Sequence, residues 1–193
     1  MKHLMPIFLG VFAAGPAFAH VMPDAAEGAL TAGFLHPFLG VDHVLAMVMV
    51  GLCAARLGAH RVYMMPAVFV GAMALGFALA HAGFTLPAAE PMILASVVIL
   101  GLAVALAVQS GPRIVATLAG FFGLFHGYAH GVEIGGALAF VSGLGFTGAT
   151  ILLHGLGIGL GAFAPRLGQR GALLARGLGG LAVAIGAISA FGV

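Results

Sequence analysis

Charge is what this sequence has least of. Of its 193 residues only 6% are Asp, Glu, Lys or Arg, against roughly 25% in a soluble domain. With 62% of residues hydrophobic and a mean hydropathy of +1.20, the chain cannot cover its own surface in water. Trp is absent, so any aromatic belt at a membrane interface falls to Phe and Tyr. The single cysteine, Cys53, excludes an intramolecular disulfide and a Cys-x-x-Cys metal site. No basic patch suited to a phosphate backbone is visible, so nucleic acid is not an expected partner despite a pI near 9.2. Nor is there a phosphate-cradling loop or a Ser-His-Asp arrangement, so neither ATP binding nor an enzyme is expected. Alternating polarity in segments of about ten residues, the mark of a membrane β-barrel, is missing too. Continuous apolar runs take its place, and the expected class is an all-α integral membrane protein.

Residues 1–19 read as a cleavable signal peptide, with Lys2 ahead of an apolar stretch and Ala17-Phe18-Ala19 as the cleavage site. The mature chain then starts at His20, whose amine and ring together can chelate a metal ion. Taking about 20 residues per crossing, residues 20–193 form one domain of about six spans. They cover 30–57, 63–83, 91–109, 113–132, 136–163 and 172–192, with a kink or break expected near Pro37 and Gly40. Arg56, Arg61, Arg113, Arg166, Arg170 and Arg176 fall at one set of span ends. Asp24, Glu27, Glu90 and Glu133 fall at the other. The positive-inside rule then puts the arginines in the cytoplasm and both mature termini outside, in the periplasm. Membrane lipid is an expected partner, and a homo-oligomer is left open.

Histidine is what is abundant: nine in all, in a chain with five carboxylates. Ionisable groups at membrane depth are costly and mark function by default. His36, Asp42 and His43 head the first span. His126, His130 and Glu133 end the fourth, on one helical face by their spacing. The topology puts both groups in the outer half of the membrane at similar depth, where imidazoles and carboxylates can converge. Imidazole suits Ni, Zn, Cu and Fe, and no thiolate is present. The expectation is an open, exchangeable site for a divalent transition metal as substrate, with no prosthetic group. A proton relay is the competing reading. His81 is divided evenly between auxiliary ligand and interface residue. His154 is either an inner relay ligand or, the reading favoured here, a hydrogen-bonding residue across a helix contact. His60 reads as a solvated loop residue, and Met47, Met49, Met64, Met65 and Met73 as gap-filling side chains.

His36-Pro37-x-x-Gly40-x-Asp42-His43 and Phe125-His126-Gly127-x-Ala129-His130-Gly131-x-Glu133 resemble the two signature motifs of the HupE/UreJ family. These are membrane accessory proteins of hydrogenase and urease, and the resemblance spans the whole chain. It implies passive or facilitated nickel uptake across the inner membrane to supply nickel enzymes. It carries the family's functional positions onto His36, Asp42, His43, His126, His130 and Glu133. The larger nickel/cobalt permeases are similar in chemistry, but this chain has one more residue between His36 and Asp42 than their signature. The rival expectations are transport of Co2+, Zn2+ or copper, and a non-transporting metal-binding accessory or sensor protein.

Overall fold

In apolar surroundings a chain must satisfy its backbone N–H and C=O groups within each segment, which long apolar runs do as helices. The computed structural model describes residues 26–191, and every regular element among them is helical. The order is α1 Ala26–Leu39, α2 Val41–Ala55, α3 Met64–His81, α4 Ala89–Ala105, α5 Pro112–Glu133, α6 Ala139–Phe163, a 3-10 turn Ala164–Leu167, and α7 Gly168–Phe191. The expected signal peptide and His20 lie outside the described residues.

The stretch 30–57, expected as one span with a kink or break near Pro37 and Gly40, is two helices bent by 85°. The break is at Gly40, which is extended (φ −105°, ψ 116°). The two pieces share α6 as a support and run against it in opposite senses. A Cβ added to Gly33 would collide with Ser142, and one on Gly145 with Leu30, so α1 is antiparallel to the first half of α6. A Cβ on Gly157 would collide with Val48 and one on Gly161 would meet Ala55, so α2 is parallel to its second half.

α2 is the axis of the molecule. Residues Ala46 to Ala54 are all buried, as a helix that is apolar all round must be. Around it, α3 and α5 form a parallel pair whose backbones touch. A Cβ on Gly123, Gly127 or Gly131 would strike Phe69, Met73 or Phe77 and Ala80 respectively. Small residues of this kind let helices pack where no water drives them together. α4 and α7 pack antiparallel, with Gly101 against Gly179 and Gly186 against Val97.

By length and composition, Met64–His81 and Ala139–Phe191 are apolar enough to cross a membrane, and the bent pair Glu27–Leu39 with Val41–Ala55 makes a third. The second of these, 53 residues long, is not one straight rod. A Cβ on Gly171 would collide with the Ala164 carbonyl, whereas seven residues of helix would separate them by about 10 Å. The chain turns back there, at the 3-10 segment and Gly168 (φ 56°).

At the end of α2 remote from Gly40, Arg56 donates to the carbonyls of Ala103 (2.9 Å) and Val104 (3.0 Å), and Arg176 to that of Ala105 (2.8 Å). Two cations thus meet the last carbonyls and the negative dipole end of α4. The same helix closes with Ala107 N–H to Val104 O and Val108 N–H to Ala103 O, and with Ala107 left-handed at φ 54°. Glycine suits that position better. Ala107→Gly is expected to stabilise the protein by about 1 kcal/mol, seen as a higher unfolding midpoint in detergent.

Candidate metal centre

The site is built where α1, α2 and α5 meet. On α5, His126 and His130 are one turn apart and both buried (0% and 1% exposed). His126 Nδ1–H donates to the Phe122 carbonyl one turn back (2.9 Å). His130 Nδ1–H donates to Glu133 Oε2 (3.1 Å), the carboxylate at the helix end. That same oxygen accepts from His36 Nε2 (3.1 Å), which arrives from the last turn of α1. At the start of α2, His43 Nδ1–H donates to Asp42 Oδ1 (3.1 Å). This pair folds back over Gly40, where a Cβ would stand 2.8 Å from both Asp42 Oδ1 and His43 Nδ1. The glycine in the first motif therefore leaves room for the two side chains that follow it.

The six residues singled out in the two motifs thus come together as a line of adjacent rings. His36 is 5.0 Å from His130 between ring centroids, His130 is 4.5 Å from His43, and His43 is 5.6 Å from His126. The two ends differ in exposure: the His36 side chain is part-exposed (37%) and His126 is sealed, with His43 part-buried between His130 and His126.

The hydrogen bonds also decide which nitrogen is free. A ring N–H facing a carboxylate or carbonyl must be the donor, so His43, His126 and His130 carry their proton on Nδ1. Each Nε2 is then an unprotonated lone pair, and all three are buried without a hydrogen-bond partner among the described residues. An imidazole oriented through its far nitrogen by a carboxylate or carbonyl, with the near lone pair exposed to the site, is how proteins present histidine to a metal. Among the described residues the tightest ligand set is His36, His130 and Glu133, whose ligand atoms all lie within 4.8 Å of one another. His130 belongs to both arrangements, with Nδ1 toward Glu133 and Nε2 toward the buried side.

The remaining candidates are placed differently. His81 stacks on Phe77 (4.4 Å) and donates to its carbonyl (3.0 Å), within its own helix, and is not part of the ligand group of His36, His130 and Glu133. His60 is exposed in a turn. Met47, Met49, Met65 and Met73 are buried in the apolar core. His154 departs from the hydrogen-bonding role favoured for it. It is 1% exposed, and neither ring nitrogen has a partner among the described residues.

Two residues at the site went unread in the sequence. Phe146 packs on His130 (4.0 Å), and Phe69 lies between His126 (5.3 Å) and His154 (5.2 Å). In a chain with fifteen phenylalanines, no local signal separates these from the rest.

Comparison with known proteins bears on these positions. The family described as HupE / UreJ protein matches residues 8–189. Protein HupE of Rhizobium leguminosarum bv. viciae is 41% identical over 175 residues, covering 89% of this chain and 90% of that protein. No solved structure matches. The match runs through α1 to α7 and takes in every residue of the ring line, and the chain belongs to the HupE / UreJ family.

Proposed function

We propose that this protein is a multi-pass inner-membrane permease that carries a divalent transition metal, Ni2+ foremost, inward to supply nickel enzymes such as hydrogenase and urease. The observation that carries the reading is the set of three imidazoles whose Nε2 atoms are buried without a partner among the described residues, joined through His130 to the trio it forms with the part-exposed His36 and Glu133. His36, His130 and Glu133 receive the ion. His130, His43 and His126 then pass it along by ligand exchange between neighbouring lone pairs. Asp42 and Glu133 hold the rings in register and supply negative charge. Neutral imidazoles and carboxylates suit a borderline divalent ion.

About six crossings, with the arginine ends cytoplasmic and both mature termini periplasmic after removal of the leader, fit this role. Arg56 and Arg176 meet at the end of α4 that this orientation places inside. Inward movement of a divalent cation gains about 4.6 kcal/mol per 100 mV of inside-negative potential, twice the unit-charge value. That gain concentrates the ion without ATP.

Purified protein in liposomes is expected to take up nickel, with cobalt, zinc and copper as competitors that rank its preference. His43→Ala is expected to slow initial uptake about tenfold or more, because it removes the ring that joins His130 to His126. Liposomes that accumulate none of the four metals would sink the permease reading. They would leave a non-transporting accessory or sensor protein, a reading favoured by the apolar ring of Phe69 beneath His126.

A further inference from the structure

Resting on that permease reading, we propose that His154, Thr150 and Met73 form a second, inner metal station that reaches from the level of His126 one turn deeper, to that of Phe69. It would be a neutral site that holds the divalent ion weakly and in passing.

His154 and Thr150 are one turn apart on α6 and both buried (1% and 0% exposed). The Thr150 hydroxyl reaches Met73 Sδ on α3 (3.9 Å). Met73 is in turn one helical turn from Phe69, whose ring stands perpendicular to that of His154. On the parallel α3–α5 pair Met73 packs on Gly127 and Phe69 on Gly123, so Met73 and Thr150 stand level with His126, and Phe69 and His154 one turn deeper. A neutral imidazole carries one donor and one acceptor. Among the described residues His154 leaves both unmet, at a cost of about 1–3 kcal/mol per group. The Phe69 ring offers at most a weak N–H···π contact in return. Leucine would fill the same space without that cost, so packing does not account for a histidine here.

The donors differ from the outer ones in a way that suits their depth. The outer trio includes a carboxylate, which favours capture from dilute solution. The inner set offers nitrogen, hydroxyl and thioether with no formal charge. A divalent ion is poorly compensated there, which keeps residence short and release easy. Phe69, fully buried, lies against both His126 and His154, and so marks the step from the binding position to the transit position.

The test pairs His154→Leu with His154→Met in the full-length protein. Both replace the ring by a side chain of similar bulk, and only Met retains a metal donor. Nickel uptake is measured in liposomes, and equilibrium nickel binding in detergent reports the outer cluster. Expected is an uptake rate about tenfold lower for His154→Leu, with His154→Met within about threefold of the unaltered protein. Outer binding should be unchanged in both. The Met variant is also expected to shift preference toward copper, a change that a packing role would not produce. Equal uptake by the two variants overturns the inner station, as does loss of outer binding together with uptake in both. Failure of the unaltered protein to transport overturns the permease reading itself, and the two failures are thereby distinct.

Discussion

Glu133→Gln lowers nickel binding and low-concentration uptake on the order of 100-fold, the largest functional effect expected from a single isosteric change here. The carboxylate does two things at once. Its Oε2 accepts from His36 and from His130, joining α1 to α5 across 97 residues of sequence. It also provides the charge nearest the part-exposed mouth of the ring line. Glutamine keeps the shape and one acceptor oxygen but loses the charge. At an effective dielectric of about 20, a unit charge 4 Å away is worth about 4 kcal/mol and a divalent ion feels twice that. Glu133 is about half exposed, so solvent screening reduces the effect to a fraction of it. Glu133→Asp restores charge but not reach, and is expected to fall between the two. Binding isotherms in detergent and initial uptake rates in liposomes check the order. Equal affinity for the Gln variant would exclude Glu133 from the site.

Gly127→Val destabilises the protein by about 3 kcal/mol or more, and takes the metal site with it. Gly127 sits on the face of α5 that lies on α3, where an added Cβ would fall onto the Met73 carbonyl. That is backbone, which cannot rotate away as a side chain can, so the helices must separate. Gly127 is also flanked by His126 and His130 on the same helix. Moving α5 outward therefore pulls both rings from His43 and loosens the contact with Phe69. Gly155→Val is the matched control: it lies in α6 with nothing within 4 Å of its added Cβ. A lower unfolding midpoint and weakened nickel binding are expected for the first and neither for the second. Identical midpoints would show that α3 and α5 do not pack in this close, glycine-mediated way.

Much of this was readable in advance. An apolar run long enough to close its own backbone hydrogen bonds is a helix whatever it packs against, so α3, α4 and α5 fall where the apolar runs are. The four-residue spacing of His126 and His130 puts them on one face for the same local reason. The kink near Gly40 was legible as a glycine beside a proline, but its size was not. A break sets no angle, and the 85° comes from α1 and α2 leaning on opposite halves of α6.

The sequence by itself determined an all-helical apolar chain, the family, and the two clusters of histidine and carboxylate. These rest on composition and on spacing within single helices, which are local properties. Only the tertiary structure decided that Glu133 takes both His36 and His130, and that three Nε2 atoms and the His154 ring find no hydrogen-bond partner among the described residues. It also decided which phenylalanine stands between His126 and His154. Those outcomes depend on which helix faces meet, and that is set by the fit of glycine gaps and side-chain volumes between segments far apart in the chain.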